Sequence, residues 1–126
     1  MNDMSSRHDV TFENLPTINR NLVVVEPTAV FLDWARRFPN VNQKLTLDEL
    51  LEDNTAYLIP EQDGDSDTWL KRNFRNIFDL ELDSWCTDRA LWPKVRSFKA
   101  FKEYFSVHFC SIVIDLGKGS IDREYL

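Results

Sequence analysis

The sequence contains few of the residues on which most catalytic and ligand-binding motifs depend. Its 126 residues include three glycines, two cysteines and two histidines. So few glycines leave no phosphate-binding loop and no dinucleotide fingerprint, because both need several glycines at fixed spacing. The sequence also has no paired C-x-x-C motif for zinc, no H-E-x-x-H and no G-x-S-x-G nucleophile elbow. We therefore expect no cofactor and no metal centre, and no reaction is identified.

Long apolar runs are missing as well. The longest aliphatic run is the segment 22–25, whereas a membrane-spanning helix needs about 20 apolar residues. Residues 1–19 contain no apolar stretch typical of a secretory signal. Two widely separated cysteines in a chain without such a signal are typical of reduced thiols. These absences favour a cytoplasmic protein that does not contact a membrane.

Acidic residues outnumber basic ones by 21 to 15, which gives a net charge of −6. A nucleic-acid-binding surface has to neutralise phosphates, so we expect no general nucleic-acid binding. The charges are unevenly distributed along the chain. Residues 45–70 include eight acids and no base, whereas residues 89–102 include five bases and no acid.

The basic segment is the candidate interaction surface, either for an acidic partner or for an anion. Its bases alternate with aromatic residues, and the planar guanidinium of Arg96 matches carboxylate and phosphate groups. The alternative is a solvated helix face that offsets the acidic half of the chain. The candidate surface comprises Arg89, Trp92, Lys94, Arg96, Lys99 and Lys102.

The four tryptophans differ in the positions that the sequence predicts for them. Trp34, Trp69 and Trp85 fit apolar stripes and are expected in the core. Trp92 precedes a proline in a connecting segment. Of the four tryptophans it is the one for which partial exposure is most expected, although core packing is favoured for it too.

The apolar pattern predicts one domain with the element order β-α-α-β-α-α-β. Strands are expected at residues 21–26, 55–59 and 107–116, and the first has apolar side chains on both faces, as in a buried strand. The first helix is expected at 28–38. A second follows the capping box at Thr46 to Glu49. The longest runs from the acidic loop to Trp85, and the last is capped by Ser97.

Two helices between successive strands reverse the chain twice, so the strands tend to run antiparallel, although short helices also allow a parallel crossover. We expect an α+β fold in which helices pack on one face of a three-stranded sheet. Residues 1–19 are predicted to form a flexible N-terminal arm. Residues 20–116 form the globular domain, and residues 117–126 a polar tail.

Two groups of residues are candidates for chemistry. His108 and Cys110 lie two apart on the last predicted strand, so they share a face and could form a thiol–imidazole pair. Ile112 and Ile114 follow on the same face, which favours the alternative that this is the core side and the thiol is buried. Separately, Asp63, Asp65 and Asp67 resemble the front half of a calcium loop. The glycine and glutamate of the back half are missing, so helix capping is the favoured alternative to a weak cation site.

Four short strings resemble a family of short, uncharacterised bacterial proteins. They are FLDW at 31–34, YLIPE at 57–61, LWP at 91–93 with Arg96 and Ser97, and SIVIDL at 111–116. The similarity spans residues 21–116. The resemblance implies a bacterial cytoplasmic protein and brings no catalytic residues.

The leading hypothesis is a non-enzymatic, acidic protein-interaction module that binds a protein partner or a second copy of itself. An inhibitor or immunity-type protein is one version, because small acidic proteins can block basic active sites. One alternative is a small enzyme that uses Cys110 and His108. Another is anion or nucleotide binding along 89–102. The sequence leaves open the partner, the oligomeric state, the strand order and the physiological role.

Overall fold

A valine-rich strand, β1 (Asn21–Pro27), forms the centre of the sheet. The computed structural model describes residues 15–39, 41 and 43–125. Strand β1 pairs antiparallel with β2 (Thr55–Ile59) on one side and with β3 (Phe105–Cys110) on the other, so the strand order is β2-β1-β3. The predicted antiparallel sheet and the predicted element order are confirmed.

Four α-helices occupy the connections between the strands. They are α1 (Ala29–Ala35), α2 (Leu47–Leu51), α3 (Asp67–Asp83) and α4 (Phe98–Tyr104), with a 3₁₀ turn at Arg89–Leu91 before α4. None of the helices in this described part of the chain is long and apolar enough to span a membrane.

Side-chain caps fix where two of the short helices begin. The capping box predicted before α2 is present: the Thr46 hydroxyl accepts a hydrogen bond from the Glu49 amide at 3.3 Å, and the Glu49 carboxylate accepts one from the Thr46 amide at 3.1 Å. The Ser97 hydroxyl accepts from the Ala100 amide at 3.1 Å at the start of α4. Each cap satisfies an amide that has no partner inside its helix.

The helices bury one face of the sheet, as predicted. Alternation along β1 turns Val23 and Val25 toward the helices, where both are fully buried, together with Ile59 of β2 and Phe105 of β3. Helical aromatic side chains fill the space above these strands: Phe31, Trp34, Phe74, Phe78 and Phe101. Burying an apolar side chain of this size contributes roughly 1.5–3 kcal/mol, so this cluster is a large favourable contribution to folding.

Two contacts continue the sheet beyond the β1–β3 ladder. Asn21 is buried, and its side-chain amide donates to the carbonyl of Ser111 at 2.9 Å. Further out, Thr17 and Ile114 form an isolated antiparallel bridge. The predicted arm lies mostly outside the described residues, and its described end, 15–19, pairs with the chain at 113–115 through this bridge. In the predicted tail, residues 117–125 are exposed.

Several predicted boundaries are wrong. Helix α1 ends at Ala35 rather than at residue 38, because the chain tightens into a turn in which the Arg37 amide donates to the Trp34 carbonyl at 3.1 Å. Strand β3 begins at Phe105 and ends at Cys110, where residues 107–116 were expected. Phe105 fits the apolar stripe of the preceding helix, so the sequence pattern does not show where helix becomes strand.

Two of the tryptophan predictions are confirmed, and one is wrong. Trp34 and Trp92 are buried, and Trp69 is half-buried. Trp85 lies beyond the end of α3, and 37% of it remains exposed. Once the helix ends at Asp83, the helical spacing that placed Trp85 on the apolar stripe no longer applies.

Candidate interaction surface

The face of the sheet opposite the helices carries apolar side chains. We call it the open face, and its apolar part consists of Leu22, Val24, Ala56, Leu58 and Cys110, which are neighbours across the three strands. Leu58 is 48% exposed, Ala56 and Cys110 are exposed, and the two β1 residues are half-buried. The sequence predicts that β1 is buried on both faces, and the structure covers only one of them.

The other end of the open face is polar. His108 pairs with Val24 in the ladder, and its Nε2 atom lies 2.5 Å from a carboxylate oxygen of Glu26. The Asn54 side-chain amide donates to the other carboxylate oxygen of Glu26 at 3.2 Å. The open face therefore combines an apolar end with a hydrogen-bonded polar end, a composition typical of protein interfaces.

The prediction that His108 and Cys110 lie on the core side of β3 is wrong. Both side chains are exposed on the open face, whereas Phe105, Val107 and Phe109 face the helices. The reason is that successive side chains of a strand point to opposite faces. Because Phe105 lies in the core, the even-numbered residues His108 and Cys110 point to the open face. Apolar residues occur at both odd and even positions of this segment, so the sequence pattern alone does not show which set faces the core.

The geometry around Cys110 and His108 bears on the enzyme hypothesis. The imidazole is hydrogen-bonded to Glu26, and among the described residues no hydrogen bond joins it to the thiol. The clefts described below are lined by other residues. A nucleophile and its base have to share a pocket within hydrogen-bond reach of a substrate. Catalysis by this pair remains a hypothesis, and neither residue lines any of the clefts described here.

Trp92 is a structural anchor for the connection between α3 and α4. Only 4% of it is exposed, and its indole N–H donates to the Cys86 carbonyl at 2.7 Å. The guanidinium carbons of Arg89 and Arg96 lie 5.0 and 5.6 Å from the ring centroid, within the range of cation–π contact. These two arginines of the predicted surface therefore hold Trp92 in place as well as facing solvent.

Part of the predicted basic surface forms a cleft together with a residue that the sequence reading missed. Arg75 of α3, Lys94 and Arg96 line an open cleft of about 450 Å³, which we call the basic cleft. Arg96 is oriented by a hydrogen bond of 2.6 Å to the Pro93 carbonyl, and its Nε atom lies 4.0 Å from the Asp79 carboxylate. Asp79 offsets one of the three positive charges in the basic cleft.

The remaining bases of the predicted surface point elsewhere. Lys102 lines a separate cleft of about 290 Å³ beside Phe105 and Val107, and its Nζ atom lies 5.3 Å from the ring centroid of Phe98. Lys99 is exposed and lines none of the clefts described here. The six predicted residues therefore do not form one continuous patch.

A third cleft, of about 410 Å³, is acidic and is lined in part by α2. It is lined by Glu49, Asp53 and Glu81 together with aromatic side chains. Nearby, the Tyr57 hydroxyl donates to the Glu81 carboxylate at 2.5 Å. Burial raises the pKa of Tyr57 far above its ordinary value, and the hydrogen bond to Glu81 raises that pKa further.

The aspartate run cited for a weak cation site lies in a turn before α3. Asp65 accepts a hydrogen bond from the Asp67 amide at 3.0 Å, so it serves the helix start. Gly64 has a φ of 121°, which a residue with a side chain rarely adopts. Within the described residues, no group of three or more His, Cys, Asp or Glu side chains is arranged to hold a metal ion.

Comparisons with protein-family models, with curated proteins and with solved structures gave no match. The resemblance to short bacterial proteins therefore stays a prediction, and the function has to be argued from geometry. Two surfaces enter that argument, the open face and the basic cleft.

The sequence contains a signal for the open face. Leu22 and Val24 alternate with the core residues Val23 and Val25, so β1 is apolar on both sides. The helices lie on one side of the sheet, and nothing in the described part of the chain covers the second apolar side. No comparable signal exists for Arg75, which only the packing of α3 places beside Arg96.

Proposed function

We propose that this protein is a non-catalytic protein-interaction module that binds a protein partner through the open face of its sheet. The observation that carries the proposal is the uncovered apolar end of the open face, where Leu58 is 48% exposed in the middle of a regular strand. Isolated exposed apolar residues are ordinary, but a contiguous patch that spans three strands is typical of an interaction site.

The size of the patch limits what it can hold by itself. Covering Leu22, Val24 and Leu58 completely contributes up to roughly 1.5–3 kcal/mol for each side chain, and less where a side chain is already half-buried. Association costs about 4–15 kcal/mol in lost freedom of motion. The apolar patch alone is therefore marginal, and we expect the polar end, with Glu26 and His108, to contribute hydrogen bonds to the partner.

Site-specific photo-cross-linking tests the proposal. We expect a photoreactive amino acid at Ala56, which is exposed on the open face, to give discrete protein adducts in cells that produce the protein. The substitution Leu58→Lys should abolish these adducts because it places a charge in the apolar patch. The control is Leu80→Lys, since Leu80 is also an exposed leucine but lies on α3.

The expected result is that adducts persist in the Leu80→Lys protein and vanish in the Leu58→Lys protein. An absence of adducts from Ala56, or adducts that survive Leu58→Lys, contradicts the proposal. Circular dichroism of both variants checks that the fold is retained.

Anion binding in the basic cleft is a second candidate function, favoured by the convergence of Arg75, Lys94 and Arg96 on one concave surface. The charge of Arg96 is partly offset by Asp79, so most of the attraction comes from the other two bases. The ligand class is a phosphorylated or carboxylated small anion, because arginine forms bidentate hydrogen bonds with both groups.

Calorimetric titration with pyrophosphate tests this second candidate. We expect saturable binding that weakens as salt is added, since the site is open to solvent. Arg75→Gln and Lys94→Gln should each weaken it at least fivefold, whereas Lys118→Gln, at an exposed lysine of the C-terminal tail, should leave it unchanged. Equal effects of all three substitutions, or no saturation, contradict the candidate.

We also propose a cytoplasmic location. Cys86 and Cys110 are both free thiols in the fold, which supports a reducing compartment. Labelling of thiols in the freshly isolated protein tests this, because modified or paired cysteines contradict it.

A further inference from the structure

Strand β3 lies at the edge of the described sheet. The alternation of hydrogen bonds along the β1–β3 ladder shows which residues of β3 direct their backbone amides and carbonyls away from β1. The Thr28 amide donates to the Tyr104 carbonyl at 3.0 Å, and the β1–β3 register continues from that pair. In an antiparallel ladder, every second residue bonds to the neighbouring strand. Ser106, His108 and Cys110 therefore bond to β1. The amides and carbonyls of Phe105, Val107 and Phe109 point away from it.

Nothing in the described part of the chain pairs with that edge. Strand β3 packs on β1 and on the adjoining helix α4, and β1 is its only ladder partner among the described strands. The cleft of about 290 Å³ lies along the edge beside Phe105 and Val107. Residues 105–110 contain neither proline nor lysine, two residue types that often protect natural sheet edges.

We propose that two copies of this chain pair antiparallel along the free edges of their β3 strands, about a two-fold axis at Val107, and form one six-stranded sheet. This dimer goes beyond the proposed function, because the edge is a different surface from the open face. An antiparallel pair of identical strands is self-complementary by symmetry.

The register follows from the outward groups. With the axis at Val107, Phe105 of one copy pairs with Phe109 of the other, and Val107 pairs with its own copy. All outward-facing residues of β3 then find partners. If the two-fold axis lay at Ser106 or His108 instead, one of the three outward-facing residues would have no partner within β3 of the other copy. The half-buried side chains of Val107 and Phe109 also gain apolar neighbours at the edge of the core.

Charge favours the β3 edge over the β2 edge for a second copy. In the proposed register His108 lies opposite Ser106 of the other copy, so no charged side chains of like sign face each other. Glu103 is the last charged residue before β3, and in this register it falls opposite the uncharged Ser111 of the other copy. Strand β2 is flanked by Asp53 and Glu61, which would oppose like charges in the same arrangement.

Disulfide trapping tests the register. In a Cys110→Ser background, Val107→Cys places two thiols directly opposite each other, at the Cα separation of about 5.5 Å that a disulfide accepts. We expect mild oxidation to give a covalent dimer in more than half of the chains. The control is Ser111→Cys in the same background, which is also exposed but lies roughly 25 Å from its copy in this register.

A proline variant tests the dimer without cross-linking. Val107→Pro removes an amide that faces away from β1, so the β1–β3 ladder keeps its hydrogen bonds while pairing along the edge is blocked. In sedimentation equilibrium we expect the unmodified protein to have twice the mass of one chain at about 100 μM, and Val107→Pro to weaken association at least a hundredfold. Circular dichroism confirms that the variant is folded.

A monomeric unmodified protein at that concentration overturns the dimer, as does a dimer that survives Val107→Pro in folded form. Stronger trapping through Ser111→Cys than through Val107→Cys overturns the register. Cross-linking from Ala56 is independent of these outcomes. Adducts that disappear with Leu58→Lys therefore uphold the open face as a binding surface even if the chain is monomeric.

Discussion

Among single residues, Asn21 joins two parts of the chain that the backbone ladder leaves separate. Its side-chain N–H₂ donates to the carbonyl of Ser111, and its side-chain oxygen accepts from the amide of Gln62 at 2.6 Å. One buried amide thus fixes both the exit from β3 and the loop after β2. A buried polar residue is retained at such a position because each of its groups has a partner.

We expect Asn21→Ala to lower the free energy of unfolding by about 1–3 kcal/mol, because it leaves two backbone groups without partners. Urea denaturation measures the loss. Asn76→Ala is the matched control, since Asn76 is exposed on α3 and the change should cost less than about 0.5 kcal/mol. Similar losses in the two variants would show that Asn21 does not act as a clamp.

Tyr57 gives the protein a specific sensitivity to alkaline pH. Because burial and the Glu81 hydrogen bond raise its pKa in the fold, the folded protein keeps the phenol neutral above pH 10.0, where the unfolded chain ionises it. The stability from this group is therefore complete below pH 10 and is lost as the pH rises further. Burial also raises the pKa of Tyr104, which adds to the same trend.

We expect the stability difference between the unmodified protein and Tyr57→Phe to be largest near pH 8 and to shrink above pH 10. The change stays below the limit of about 1.4 kcal/mol per pH unit, because Tyr57 is half-buried and solvent screens part of the effect. Urea denaturation at pH 8, 10 and 11 measures it. A difference that stays constant over this range would show that the phenol titrates equally in both states.

At the scale of elements, the connection from α3 to α4 is held by two indoles rather than by regular structure. Trp92 donates to the carbonyl of Cys86, and Trp34 of α1 donates to the carbonyl of Leu91 at 3.0 Å. These bonds close the loop over the core from both sides. The basic cleft depends on this closure, since Arg96 contacts the Trp92 ring.

We expect Trp92→Phe to destabilise the protein by about 2–3 kcal/mol, because it removes a buried donor and leaves a cavity. Thermal unfolding measures the loss. Trp85→Phe is the control, since Trp85 is 37% exposed and its replacement should cost less than about 1 kcal/mol. A larger effect at Trp85 than at Trp92 would contradict the anchoring role.

At the scale of the whole molecule, helices cover one face of the sheet, and the residues that the structure describes leave the other face and the outer edge of β3 without a covering element. Together these features leave an apolar surface and a row of backbone groups for partners. The proposed dimer couples stability to concentration, because a partner that binds only the folded chain stabilises the fold by mass action.

We expect a tenfold increase in protein concentration to raise the apparent stability by about 0.7 kcal/mol per chain, half of the 1.4 kcal/mol that a factor of ten contributes to the dimer. Calorimetric melting at about 10 and 100 μM measures the shift. Val107→Pro should melt at the same temperature at both concentrations. Equal shifts in both proteins would indicate nonspecific association instead.

The sequence by itself determined the element order and the position of the helices on one face, and it favoured an antiparallel sheet over a parallel crossover. It also determined the start of α2 and the bounds of β2. These features depend on short-range signals such as the capping box at Thr46, the β-branched run of β1 and the helical spacing of α3. Each signal acts over a few residues, so it survives without knowledge of the rest of the fold.

Only the tertiary structure decided which side of β3 faces the core and which bases share a cleft. Along β3, Val107 and Phe109 compete with Ile112 and Ile114, and the choice depends on where Phe105 docks against the helices. Arg75 meets Arg96 only because α3 packs beside α4. Such contacts join residues far apart in the chain, and their energies depend on packing that no local pattern encodes.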